Sequence, residues 1–187
     1  MRPPEDEPTA GRPLPPPSAL ARIRLLLLDV DGVLTDGRLL LDREGREYKS
    51  FHVHDAAGIV WWHRSGGLSG FLSGRGGEIV QRRARELGVH EVVLGRIDKA
   101  AAFAELLARR GLGAEQVGFV GDDLLDLPVL RAVGFAATVP EGRTEVKAAV
   151  HYVAATPAGF GAAREVIEVL LRARGAFAEI VQKGGRP

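Results

Sequence analysis

Cysteine is missing from this chain altogether. Disulfides, thiolate zinc sites and cysteine nucleophiles are excluded with it. An excess of either charge is missing too: 25 lysines and arginines against 24 acidic residues leave a formal net charge of +1. So even a balance gives no electrostatic case for a nucleic-acid or other polyanionic partner. The arginines at Arg82, Arg83 and Arg85, and at Arg109 and Arg110, stand near glutamates and read as solvated helix faces. No apolar run approaches the roughly 20 residues that a membrane span requires. The opening segment has no apolar stretch of signal-peptide length, so a cytoplasmic protein without a membrane partner is the expectation.

What is present points to one domain. With 187 residues, 45% of them hydrophobic, the chain can bury a sizeable single core but is short for two. Seven of the eleven prolines fall before residue 20. A segment of that composition buries too little apolar surface to offset its ordering entropy, so residues 1–19 read as a disordered leader and 20–187 as the domain. Docking of the leader through its prolines is the other reading.

From Ile23 onward, apolar runs alternate with helical patterns. Residues 23–28 predict a central strand ending at Asp29. A hairpin is expected from Arg38–Leu41, a turn at 42–45 and a second strand over Arg46–Val53. Asp55 is a candidate N-cap for a helix through His63. Further strands are expected at 68–72, 92–94, 117–120, 135–138 and 151–153, and further helices at 78–87, 99–110, 124–132 and 161–174. Strands alternating with helices of about ten residues imply a parallel sheet with helices on both faces. In such an α/β fold the reactive groups gather beyond the C-terminal ends of the strands.

Chemistry concentrates at those ends. Asp29-Val30-Asp31-Gly32-Val33-Leu34-Thr35-Asp36-Gly37 directly follows the most apolar strand. Carboxylates delivered by a buried strand are costly without a partner, and a hard divalent cation is the natural one. Mg²⁺ takes oxygen ligands and leaves a position for a phosphate. A carboxylate there can attack phosphorus, which suits Asp29, while Asp31 can protonate the leaving oxygen and then deprotonate water. Capping aspartates at a strand end are the bland alternative. Ser73-Gly74-Arg75 closes the second strand with a hydroxyl and loop amides able to hold phosphate oxygens. Lys99 opens a helix against its dipole, which calls for a local anion. Gly121-Asp122-Asp123, with Asp126 beyond, forms a second acidic strand end that could complete a metal site.

This ordered set, Asp-x-Asp, then Ser-Gly-Arg, then Lys, then Gly-Asp-Asp, resembles the four motifs of the haloacid dehalogenase superfamily of phosphohydrolases over about residues 22 to 174. The resemblance implies a Rossmann-like three-layer fold, with Asp29 as nucleophile, Asp31 as acid/base, and Ser73, Gly74 and Lys99 holding the phosphoryl group. It also implies Mg²⁺ on Asp29, Asp122 and the Asp31 carbonyl, with Asp123 and Asp126 supporting through water or hydrogen bonds. Thr35, Asp55 and Arg75 would lie on the substrate side.

Superfamily members usually carry a cap domain, but the roughly 20 residues between Thr35 and Asp55 leave room only for a hairpin. The wording Asp-Val-Asp-Gly-Val-Leu-Thr-Asp-Gly, with Phe51-His52-Val53-His54-Asp55 and Gly161-Ala162-Ala163-Arg164-Glu165, is similar to the capless 3-deoxy-D-manno-octulosonate 8-phosphate (KDO 8-phosphate) phosphatases. That likeness implies a sugar-acid phosphate substrate from lipopolysaccharide biosynthesis. It also implies a homotetramer built through the hairpins, to whose burial Leu39-Leu40-Leu41 is suited. Nonulosonate 9-phosphate phosphatases and a non-catalytic oligomerisation module share the fold and remain alternatives. The chain departs from the family pattern at Ala56, Ala155 and Phe160, all on the substrate side. His52 and His54, two apart on an expected strand, would face one side, for metal, substrate, subunit contact or packing. Trp61 and Trp62 are expected in the core or an interface.

Overall fold

A computed structural model describes residues 10–185. Residues 1–9 of the expected leader lie outside the described residues. The rest of it is ordered: the Gly11 amide donates to Lys147 O at 2.9 Å, the Arg12 amide to Val150 O at 3.0 Å, and the Arg12 guanidinium to Leu130 O at 3.2 Å. Helix α1 (Pro17–Leu20) then starts with proline, whose missing N–H costs nothing in a first turn, and sinks Leu20 into the core. Proline content alone does not report these backbone partners.

Strand β1 (Leu25–Leu28) is four consecutive leucines, every one fully buried. A strand reads as an unbroken apolar run when both faces of its sheet are covered. Leu26 and Leu28 enter one core, Leu25 and Leu27 the other. Each such leucine contributes about 1.5–3 kcal/mol by leaving water. Strands β4 (Leu68–Leu72) and β6 (Val117–Val120) flank β1, and all three run parallel. With β5 (Glu91–Val93), β7 (Phe135–Thr138) and β8 (Tyr152–Val153) the sheet order is β5-β4-β1-β6-β7-β8. The chain builds outward from β1 on one side and then returns to build on the other, so a crevice opens between the tips of β1 and β6.

Helices α2 (Val53–Arg64), α3 (Glu78–Leu87) and α7 (Ala162–Ala173) supply Ile59, Trp62, Val80, Val166 and Ile167 to the first core. Helices α4 (Lys99–Arg110) and α5 (Leu127–Ala132) supply Phe103, Leu106, Val129 and Leu130 to the second. Trp62 is fully buried and donates its indole N–H to Leu68 O at 2.7 Å; the Arg174 guanidinium lies 3.9 Å over its ring. Short helices α6 (Thr144–Lys147) and α8 (Phe177–Gln182) complete the described chain. No helix among the described residues is long and apolar enough to cross a membrane.

The expected hairpin is present but shorter: β2 (Leu40–Leu41) pairs antiparallel with β3 (Glu47–Tyr48). Pairing stops before His52, which caps α2 by accepting from the His54 amide at 3.3 Å. His52 and His54 therefore sit at a helix start, rings edge-on at 4.7 Å, and not along one strand face. Asp55, expected as the cap, is already inside the helix. Residues 124–126, expected as helix, form a 3-10 turn ahead of α5.

Candidate active site

Asp29 leaves β1 while its amide still donates to Val120 O of β6 at 2.9 Å, so strand pairing holds its backbone. The chain then bends through residues 30–34, where Gly32 has φ +92°, a region that costs side chains dearly. Space demands glycine there as well: a Cβ would stand 2.2 Å from Asp122 Oδ2. Gly121 is similarly pressed against the Asp126 side chain. These two glycines let the tips of β1 and β6 bring their carboxylates together.

Carboxylate oxygens of Asp29, Asp122 and Asp126 lie within 4.8 Å of one another. Asp126 is fully buried; its Oδ2 accepts from the amides of Asp122 at 2.9 Å and Asp123 at 3.1 Å, and its Oδ1 pairs with Lys99. Lys99, which opens α4, also lies 3.0 Å from Asp29 Oδ1, supplying the anions that its place in the helix dipole called for. Burial works against its ammonium, but Asp29 and Asp126 outweigh that and hold its pKa above the usual lysine range. Burial pushes the Asp29 carboxyl up to about 6; Lys99 opposes the rise and Asp126 adds to it. Burial, followed by the charges of Asp29 and Asp126, pushes Asp122 up to about 8.

One lysine therefore does not neutralise the cluster. Asp31 Oδ2 and Asp122 Oδ1 are buried with no hydrogen-bond partner, and Asp29 Oδ1 makes none of good geometry despite its lysine neighbour. Buried carboxylate oxygens without donors are costly, and an oxygen-seeking divalent cation is what they fit.

Asp29, Asp31, Ser73, Gly74, Arg75, Lys99, Asp122, Asp123 and Asp126 all line one open cleft of about 360 Å³. Ser73 directly follows β4, its amide donating to Val93 O, and its hydroxyl accepts from the Arg75 amide at 3.2 Å. Asp123 is exposed and caps the following turn, accepting from the Leu124 amide at 2.8 Å.

Two expected residues lie elsewhere. Thr35 is 2% exposed, and its hydroxyl staples the loop, donating to Val30 O and accepting from the Gly37 amide. Asp55 is 3% exposed and accepts from the Arg164 amide at the start of α7 at 2.8 Å. Both face backbone and not the cleft. Conversely, Lys49 belongs to no motif in the sequence, yet it reaches the site. It follows β3, its side chain is 3% exposed, and its ammonium pairs with Asp31. The available signal was parity: Glu47 and Lys49 share a face of an extended chain.

A family model described as haloacid dehalogenase-like hydrolase matches residues 78–166. The 3-deoxy-D-manno-octulosonate 8-phosphate phosphatase of Haemophilus influenzae is 40% identical over 156 residues, 83% of this chain and 87% of that one. The chain belongs to the 3-deoxy-D-manno-octulosonate 8-phosphate phosphatase family of haloacid dehalogenase-like hydrolases. The Escherichia coli K12 phosphatase of the same name is 38% identical over 84% of each chain. Among solved structures, the Moraxella catarrhalis member of this family, a complex with magnesium, phosphate and KDO, superposes with a TM-score of 0.87 at 35% identity. That match covers 89% of this chain and 96% of the other. The cobalt-bound Haemophilus influenzae enzyme gives a TM-score of 0.85 at 38% identity, over 89% and 98%. Family membership carries with it the α/β fold and the phosphatase class.

Proposed function

We propose that this chain is a Mg²⁺-dependent phosphomonoesterase that hydrolyses KDO 8-phosphate through a phospho-aspartate on Asp29. The observation that carries the reading is the cluster of partner-poor buried carboxylates at the β1 and β6 tips, with Lys99 among them and Ser73 across the same cleft. The relative that holds magnesium, phosphate and KDO supports both the metal and the sugar acid.

Asp29, Asp122 and the Asp31 carbonyl would hold the ion. When bound, Mg²⁺ supplies positive charge that lets carboxylate and phosphate approach each other. Ser73 Oγ and the Gly74 amide bind phosphoryl oxygens, and Arg75 stands on the substrate side. Asp29 attacks phosphorus, the bond to the ester oxygen breaks, and Asp31 gives that oxygen a proton. Water then attacks the phospho-aspartate, Asp31 takes its proton, and Asp29 is regenerated as phosphate leaves. Lys99 offsets charge on Asp29 and the phosphoryl group throughout, while Asp126 holds Lys99 in place.

The hairpin leaves the cleft open, and association through its leucines into a homotetramer would cover it. No segment among the described residues calls for a membrane, and a cytoplasmic sugar-phosphate enzyme fits.

Phosphate release from KDO 8-phosphate with and without Mg²⁺ tests the reading. Asp29→Asn keeps the shape but removes the nucleophile, so turnover should fall at least about a thousandfold with an unchanged melting curve. Substantial turnover by that variant, or none by the folded parent chain on KDO 8-phosphate and p-nitrophenyl phosphate, would refute it.

A further inference from the structure

A carboxyl that works first as acid and then as base must present one oxygen at a fixed place. Asp31 is built for that. Its Oδ1 is paired with the Lys49 ammonium, while its Oδ2 is buried and has no partner. One oxygen is tethered and the other is left for the reaction.

The tether is itself anchored. Lys49 Nζ lies 3.0 Å from Glu47 Oε1, and Arg75 Nη2 lies 3.3 Å from both Glu47 carboxylate oxygens. Arg75, Glu47, Lys49 and Asp31 thus form a row of alternating charge from the β4 tip, through the hairpin, to the loop after β1. A lysine with 3% of its side chain exposed needs such partners, because burying an unpaired ammonium is expensive. These pairs also tie a short hairpin with no buried apolar residue to the β4 tip and to the loop after β1.

We propose that Lys49 is a positioning residue for the acid/base carboxyl Asp31, held in place by Glu47 and through it by Arg75. The inference rests on the phosphatase reading above. It assigns the hairpin a part in the chemistry of its own subunit, separate from any role in assembly. Lys49 does not grip the sugar acid: its ammonium faces two carboxylates.

Leaving-group dependence tests it. The ratio kcat/KM reports steps through departure of the leaving alcohol, and only a poor leaving group needs a well-placed proton. Lys49→Met, with Lys49→Arg beside it, is assayed with saturating Mg²⁺ on three simple esters (p-nitrophenyl phosphate, phenyl phosphate and an alkyl phosphate) and, alongside them, on KDO 8-phosphate. Lys49→Met should lower kcat/KM for the alkyl ester by about 10- to 100-fold more than for p-nitrophenyl phosphate, the scale of a misplaced acid. Lys49→Arg should recover most of the difference. An equal loss on all three esters would mean a merely structural role and overturn the proposal. So would a loss confined to KDO 8-phosphate, which would make Lys49 a substrate-binding group. If Lys49→Met fails to fold, Glu47→Gln loosens the same tether on the same esters: a steeper dependence supports the proposal, an unchanged one overturns it. These outcomes are separable from failure of the phosphatase reading, which Asp29→Asn decides.

Discussion

At the scale of single residues, two of the most constrained positions carry no functional group. Gly32 and Gly121 let two acidic strand tips approach until their carboxylates share a centre. Alanine at 32 would face both a left-handed backbone, worth roughly 1–2 kcal/mol, and a collision with the Asp122 carboxylate. Gly32→Ala should therefore raise the Mg²⁺ concentration for half-maximal turnover by at least about tenfold, as a metal titration of initial rates would show. An unchanged titration would mean that Asp122 is not a ligand. Residues of this kind are legible in sequence when function forces a motif: Asp29, Asp31 and Asp122 follow strand ends and Lys99 opens a helix, in a fixed order. Lys49 was not legible, since nothing nearby in the sequence marks it; it matters through a partner 18 positions away. Thr35 and Asp55 show the converse, polar residues within the motifs whose side chains serve the backbone.

Among elements, legibility followed punctuation. Helices α3 and α4 were bounded correctly because Gly88 and Gly111 adopt the left-handed cap that ends each. The stretch before α2 has no such mark, and its alternating histidines predict strand where His52 is a helix cap. The hairpin is the element that the sequence got right in kind but not in extent. Leu39, Leu40 and Leu41 are 54%, 64% and 58% exposed, and Tyr48 beside them is 49% exposed. A two-stranded ribbon is marginal alone, so exposed apolar side chains on both faces of one suit burial against another subunit. Leu40→Asp should shift the molar mass in light scattering from the proposed tetramer to smaller species, with the melting temperature of the fold little changed. Retention of the parent mass would exclude the hairpin as the contact.

For the molecule as a whole, the sheet separates two cores and collects its acids along one edge. The parallel topology was readable from the alternation of strand and helix, whereas the placement of residues 10–12 depends on contacts more than 100 positions away. Gathering acids has a pH signature. Asp29 and Asp122 have folded pKa values near 6 and 8, above the roughly 3.9 of an unfolded aspartate. A raised acid favours the folded state at low pH and loses that contribution as pH climbs through the folded value. Metal-free protein should thus weaken between about pH 4 and 8. Mg²⁺ binds the ionised carboxylates, so its stabilising effect should grow over the same range. Thermal melts should show an Mg²⁺-induced rise in Tm about 2–4 °C larger at pH 8 than at pH 6. An equal or smaller rise at pH 8 would mean that the ion does not bind this cluster.

The hairpin's lack of buried apolar side chains has an evolutionary corollary. Substitution of its exposed leucines disturbs neither core, so any subunit contact they make can be reworked while strand pairing keeps the Asp29 backbone fixed at the β1 tip.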